Sequence, residues 1–354
     1  MSKVVFLIVT DLHLYCVNKN NRINYAKESL DGFKHVENLA MKYSEMGYAV
    51  NIIFLGDIFD RGYSNTVKGI AHNNRFIRLS MVCENMYSVV GNHELTYYKD
   101  NPFWTLFRTM ESKRVSDIVA RNVTPTGEFN ILEVVDQVTY GNVRFYFNHY
   151  GLPVLRPTNE EGMINIGLFH QDITSKEIVE FTKQEGREFY EVHSNYFDET
   201  DAFDDYQYAM LGHMHSIYGV WNFLNEATDK QTTIYNLASI GRTNHREVRD
   251  DFLTRIIPAV IIEDEKFKKI VEEKITLCSR KESVNEETLK QQTTARELKK
   301  EIDYIKGTLI DTGDCITNVK EAIGNEVINE VIDCILSDRV DPIYKEILNR
   351  LDYI

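Results

Sequence analysis

Apolar residues along the chain fall into short, nearly continuous runs separated by stretches with a different spacing. Val4–Val9, Val50–Leu55, Met86–Val90, Ile164–Phe169, Tyr208–Leu211 and Ile256–Ile262 are four to seven residues long. Runs this short and rich in β-branched or aromatic side chains predict strands buried on both faces. Between the first two, Leu30, Phe33, Val36, Leu39, Tyr43 and Met46 recur at three- and four-residue steps, and Gly47 follows as a stop. That spacing predicts an amphipathic helix. Residues 66–80 carry a weaker helical pattern. Gln137–Tyr140 and Val143–Phe147 flank Gly141-Asn142 and read as a hairpin. Thr232–Tyr235 and the strand-like Ile275-Thr276-Leu277 add to the sheet. Strand, helix, strand in this rhythm predicts an α/β class with right-handed crossovers.

After Ser283 the texture changes. Ser283-Val284-Asn285-Glu286 reads as a capping box, and the chain beyond it reads as helices, with breaks near 307–314 and 337–342. A boundary near 280 therefore separates a main domain, 1–280, from a helical C-terminal extension, 281–354. The extension either wraps the main domain or docks a partner.

The strand ends carry the candidate chemistry. Val4–Val9 delivers Asp11 and His13, and Val50–Leu55 delivers Gly56-Asp57-Ile58-Phe59-Asp60-Arg61-Gly62. Met86–Val90 ends in Gly91-Asn92-His93-Glu94, Ile164–Phe169 in His170, and Tyr208–Leu211 in Gly212-His213-Met214-His215. Core histidines and turn aspartates have no reason to collect at the carboxyl ends of strands, which is where open α/β sheets place their sites. Asp11 and His13, two apart at a strand end, are expected to point the same way through the alternation of the pleat. Carboxylates mixed with imidazoles suit Mn, Fe or Zn rather than Ca. This many ligands suits two ions, and a two-metal site implies hydrolysis of a phosphate ester. His149 has no companion ligand and reads as structural or pocket-lining.

Composition narrows the setting. The 354 residues include 40 basic and 54 acidic ones, a net charge of −14, which argues against a broad basic surface for nucleic acid. It leaves open an enzyme that grips phosphates through dications, since bound ions reverse the local sign. No apolar run approaches the ~20 residues of a membrane span. The first run is short and leads into Asp11 and His13 without a small-residue cleavage site, so it reads as a strand rather than a leader. Cys16, Cys83, Cys278, Cys315 and Cys334 are scattered, which suggests reduced thiols and a cytoplasmic location. Phe103, Trp104, Leu106 and Phe107, followed by Arg108, Lys113, Arg114 and Arg121, suit a buried helix face better than a base-stacking platform.

Taken in order, Asp-x-His, Gly-Asp-x-x-Asp, Gly-Asn-His-Glu, a strand-end His and Gly-His-x-His resemble the motif set of the calcineurin-like metallophosphoesterases. The resemblance covers residues 1–280. It implies an α/β (α+β) sandwich of two mixed β-sheets packed face to face and flanked by helices. It also implies two divalent ions, Mn first, with Fe, Zn or Mg as alternatives. Asp11, His13 and His215 would hold one; Asn92, His170 and His213 the other; Asp57 would bridge them. A hydroxide activated by the ions would attack phosphorus, His93 would protonate the leaving oxygen, and Asp60 would orient His93. Arg61 would either fork onto a substrate phosphate or be a surface arginine.

Two features pull the branch apart. Gly56–Gly62 and Gly91–Glu94 look like the serine/threonine protein phosphatases, but the contiguous Gly-His-x-His does not. Ile164–Ile173, Ala238-Ser239-Ile240-Gly241-Arg242, Arg255-Ile256-Ile257-Pro258 and the helical tail are similar to SbcD-type DNA repair nucleases. That resemblance implies a phosphodiester substrate, DNA first, and a C-terminal region for an SbcC-like ATPase partner or a homodimer. Glu94, where those nucleases usually carry Asp, and the acidic net charge depart from the pattern. The alternatives are a phosphatase or phosphodiesterase for a nucleotide or other small phosphoester, and a non-catalytic phosphate-binding subunit. Grip alone needs no proton donor, so His93 and Asp60 speak against the last.

Overall fold

In the computed structural model, β1 (Lys3–Val9) lies at the middle of a sheet ordered β11-β10-β1-β2-β3. The structure describes residues 2–14, 25–58, 75–95, 135–158, 160–171, 205–215, 218–225, 230–242 and 253–294, with isolated positions between and after them. Val4–Val9 run parallel to β2 (Ala49–Phe54), which runs parallel to β3 (Asn85–Ser88). β10 (Thr254–Glu263) returns antiparallel on the other side of β1 and pairs with β11 (Lys266–Thr276). The continuous apolar run of β1 reflects burial on both faces. Val5, Leu7 and Val9 pack on Phe33, Val36, Ala40 and Tyr43 of helix α1 (Tyr25–Glu45). Val4, Phe6 and Ile8 pack on Phe145, Phe147, Ile166, Leu168 and Met210 of a second sheet. Successive side chains point to opposite faces, so one strand serves both cores.

The second sheet is ordered β4-β5-β6-β7-β9-β8. Within it β5 (Val143–Asn148), β6 (Ile164–Phe169), β7 (Tyr208–Leu211) and β9 (Lys230–Asn236) are parallel. β4 (Gln137–Tyr140) and β8 (Gly219–Asn225) are antiparallel to their neighbours. Two mixed sheets thus pack face to face, as the resemblance implied, with α1 covering the outer face of the first. Residues 75–80 are helical and place Phe76 and Leu79 in the same core as α1. Tyr146, Phe169, Tyr206 and Ile234 form a third core on the outer face of the second sheet.

One strand escaped the sequence reading and two readings are corrected here. β8 carries no signal strong enough to read, because Val220, Asn222 and Leu224 are exposed and only Trp221 and Phe223 turn inward. β11 is eleven residues rather than the three at its end. Its many charges hide it from a hydropathy reading, and lysines are what a strand at a sheet edge carries to discourage further pairing. The capping box lies elsewhere. The Glu282 carboxylate accepts the Ser279 N–H at 2.9 Å and its hydroxyl at 2.7 Å, at the start of a turn of helix, Arg280–Ser283. Ser283 instead donates to Glu28 at 2.5 Å, while Asn285 Oδ1 accepts the Thr288 N–H at 3.1 Å.

Chain contacts divide the molecule into two units, Met1–Val284 and Asn285–Ile354. In the second, 286–294 are helical, and the breaks expected near 307–314 and 337–342 lie outside the described residues. Among the described residues no helix is long and apolar enough to cross a membrane.

Candidate metal centre

The strand ends do not simply run on into the site; the backbone turns left-handed to make it. Asp11, His13, Asp57 and His213 have φ values of 44°, 43°, 48° and 71°. Outside glycine that conformation costs about 1–2 kcal/mol per residue, and it clusters at functional sites. The expectation that Asp11 and His13 share a direction through the pleat is therefore corrected, since both lie beyond the end of β1. They converge because each turns left-handed, and neighbouring strand ends hold them there. His13 N–H donates to Asp57 O at 3.0 Å, and Leu14 N–H to Ile58 O at 2.7 Å.

Gly56 shows how tightly the strand ends meet. Its φ is +89°, and a Cβ there would lie 2.5 Å from His170 Nδ1 and 2.9 Å from Gly91 Cα. Gly56→Ala is expected to destabilise the fold by roughly 2–4 kcal/mol, from left-handed strain plus overpacking. A denaturant midpoint equal to that of the parent protein would contradict this.

Seven expected ligands and His93 come together. His13 Nε2 and His215 Nε2 face each other at 3.1 Å, and Asp11 Oδ1 lies 3.1 Å from the latter and 3.7 Å from the former. Nearby, His170 Nε2 is 3.3 Å from Asp57 Oδ1 and 3.1 Å from Asn92 Oδ1. Donor atoms of Asp57, His170 and His213 all lie within 4.8 Å of one another, as do those of Asp11, His13 and His215. Asp57 Oδ2 reaches toward the first group, 3.9 Å from His13 Nε2, and also lies 3.8 Å from His93 Nε2. Asp57 therefore stands between two ligand sets.

Backbone contacts orient the donors. His170 Nδ1 donates to the Leu55 carbonyl at 2.5 Å, which would leave Nε2 as the nitrogen that ligates once a metal displaces its proton. The N–H groups of His93 and His213 donate to Asp57 Oδ1 (2.9 Å) and Asp11 Oδ2 (3.1 Å). Thr10 Oγ1 also donates to Asp11 Oδ2.

Protonation states suit cations. Burial pushes the Asp57 carboxyl up, but the electrostatic and hydrogen-bonding interaction with His170 outweighs it and holds the group below the usual carboxylate range. For Asp11 burial again works upward, and His215, aided by hydrogen bonds from His13 and His215, holds it well below that range. Burial pushes His13 down, which favours the neutral ring. Ionised carboxylates and neutral imidazoles are the ligand forms that metals require.

Asp60 and Arg61 lie outside the described residues, as do the side chain of Glu94 and the aromatic and basic positions 103–121. His149 resolves toward the structural side of its two readings. It is buried, and its Nδ1 accepts the Val90 N–H at 3.0 Å. Tyr150 was missed. Its ring centroid lies 5.4 Å from that of His213 and 6.4 Å from that of His170. Its place just after β5, at the same sheet edge as the other site residues, was the available signal.

Two buried histidines make stability depend on pH. Burial lowers the pKa of His13 and of His149, the latter partly offset by Asp136. The unfolded chain titrates them near 6.5, so below that pH it binds protons the folded chain does not. Stability is expected to be full above about pH 6.5 and to fall as the pH drops, by up to ~1.4 kcal/mol per histidine per pH unit. In chelator, the melting temperature should be lower at pH 5.5 than at pH 7.5, and His149→Gln should flatten part of that slope. A flat profile between those pH values would contradict the assignment.

The sequence signature of the calcineurin-like phosphoesterases (Metallophos) matches residues 4–217, from β1 to just past His215. The chain belongs to the calcineurin-like phosphoesterase family, and the clustered His and Asp residues form its divalent-metal site. No curated protein sequence matches it. Among solved structures it is similar to a 5'-nucleotidase precursor from Thermus thermophilus, with 13% identity and a TM-score of 0.38 over 78% of this chain and 54% of that one. It is also similar to the NAD nucleotidase NadN of Haemophilus influenzae, with 13% identity and a TM-score of 0.39 over 78% and 50%. The chain thus spans about half the length of each.

Proposed function

We propose that this chain is a metal-dependent phosphoester hydrolase that holds two divalent ions, Mn by preference, and cleaves phosphodiester bonds, with DNA as the substrate. One observation carries the reading: Asp57 lies between two sets of ligand atoms, each close enough to surround an ion. Asp11, His13 and His215 would hold one ion and Asn92, His170 and His213 the other, with Asp57 shared between the two sets. Divalent ions held there would supply charge neutralisation for phosphate oxygens and lower the pKa of a water. The protein's own residues do the rest. Asp11 and Asp57 stay ionised, His13 stays neutral, and the left-handed turns aim them at one point before substrate arrives. His93 is about one third exposed and its Nε2 lies 3.8 Å from Asp57 Oδ2, which supports it as the group that protonates the leaving oxygen. Asp60 orients His93.

The diester and DNA parts of the reading rest on the contiguous Gly-His-x-His and on the stretches similar to SbcD-type nucleases, of which Ile164–Phe169 form β6 and Arg255–Pro258 lie in β10. With a net charge of −14, grip on a polyanion would come from the ions rather than from a basic face. Residues 281–354 are assigned to an SbcC-like ATPase partner or a second copy of the chain.

The test is turnover by the full chain with Mn²⁺ on single- and double-stranded DNA, cyclic nucleotides, a phosphopeptide and bis-p-nitrophenyl phosphate. Cleavage of DNA is expected. If only the phosphopeptide is cleaved, the diesterase reading is wrong. If no divalent metal supports any turnover, the binding-subunit alternative stands in its place.

A further inference from the structure

The carbonyl of Asp11, a residue with left-handed φ, points at the loop after β9. It accepts the Gly241 N–H at 2.8 Å and the Ser239 hydroxyl at 3.1 Å. The approach is close enough that a Cβ on Gly241 would sit 1.8 Å from Leu12 O and 3.0 Å from His13 Cβ. Residues 239–241 are thus clamped onto the turn that presents Asp11 and His13.

The clamp is itself anchored. Arg255 Nε donates to Ser239 O at 2.7 Å. Arg242 is fully buried, and its Nε and Nη2 meet Glu28 Oε1 at 2.8 and 2.6 Å. Nη2 also donates to Cys278 O at 2.8 Å and to Ser283 Oγ at 3.3 Å, while Ser283 donates onward to Glu28 Oε2. One guanidinium thereby ties the loop to α1, to the segment after β11 and to the turn of helix at 280–283. A buried ion pair of this kind adds little net stability over an apolar replacement. Its geometry, however, fixes a position, and the position here is that of two metal ligands. In the other ligand set His170 is held by a contact of its own, on Leu55 O, and only His213, whose backbone N–H donates to Asp11 Oδ2, touches the clamped turn.

We propose that Ser239, Arg242 and Glu28 are positioning residues for one half of the metal centre. Through the Asp11 carbonyl they set the affinity of the Asp11–His13–His215 half, and they reach the Asn92–His170–His213 half less, through the single His213 N–H bond to Asp11. The inference rests on the two-ion reading above.

Mn²⁺ is titrated into the metal-free full chain, followed by electron paramagnetic resonance and calorimetry. The variants are Ser239→Ala, Arg242→Lys and Glu28→Gln, with His215→Ala and His213→Ala as references for the two halves. Ser239→Ala leaves the buried charges paired, so it keeps the test open if the charge variants fold poorly. The expected result is a tenfold or greater weakening of the Mn²⁺ class that His215→Ala abolishes, as loss of an outer-shell partner typically gives. The class that His213→Ala abolishes should weaken several-fold less, and Arg242→Lys should fall between Ser239→Ala and His215→Ala. An unchanged Ser239→Ala isotherm overturns the proposal, and so does equal weakening of both classes in step with lost thermal stability. In either case a parent protein that still binds two Mn²⁺ ions leaves the two-ion reading standing. A parent that binds none overturns that reading and the inference with it.

Discussion

Asp57→Ala is expected to empty the metal centre and lower turnover at least about a thousandfold, because groups that act as one unit fail together. Both oxygens of Asp57 are engaged: Oδ1 faces His170 and the His93 N–H, and Oδ2 faces His13 and His93. Truncation removes the carboxylate that, among the described residues, the two ligand sets share. It leaves imidazoles facing one another without the negative charge that offsets two dications. Asp57→Asn separates charge from shape, since it keeps an acceptor for the His93 N–H. It should bind metal more weakly than the parent yet fold normally. Metal content after desalting, measured by mass spectrometry beside the rate, checks both. Retention of a full pair of tightly held ions by Asp57→Ala would rule out the bridging role.

His93→Ala should behave in the opposite way, keeping both ions and losing rate by about 10²–10⁴, the usual worth of a positioned general acid. The loss should be larger for DNA, whose sugar oxygen leaves badly unless protonated, than for a nitrophenyl ester, whose anion leaves unaided. The geometry makes this a sharp test, because His93, His13 and Asp57 also form a group whose donor atoms lie within 4.8 Å of one another. If His93 were a ligand, His93→Ala would release metal and the losses on the two substrates would be equal. Asp60→Asn, acting through His93, should show the same substrate dependence with a smaller loss.

Much of this centre was legible in the sequence because buried parallel strands announce themselves twice, by an apolar run and by the polar residues at its carboxyl end. Asp11, His13, Asp57, Asn92, His170, His213 and His215 could all be named from that pattern, and the structure brings them together. The features that escaped did so for physical reasons. β8 and β11 expose one face or carry charge, so their sequences lack a continuous apolar run. The left-handed turns at Asp11 and His13 carry no glycine to signal them. Gly241 and Ser239 work through backbone contacts more than 200 residues away in the chain, which no local motif reports. Ser283 looked like a helix cap because its true partner, Glu28, is 255 residues distant.

The proposed ligands come from both layers of the sandwich. Asp11, His13, Asp57 and Asn92 follow strands of the first sheet, and His170, His213 and His215 follow strands of the second. Each ion would therefore be held by donors from both sheets, and neither sheet alone carries a complete set. Loading and folding would then become a single equilibrium, in which free metal at a hundred times its dissociation constant would add ~2.7 kcal/mol per site to the assembled state. A cell that runs short of the metal would lose more than catalysis: the fastening across the seam between the sheets would loosen, and the protein's lifetime would follow the metal supply.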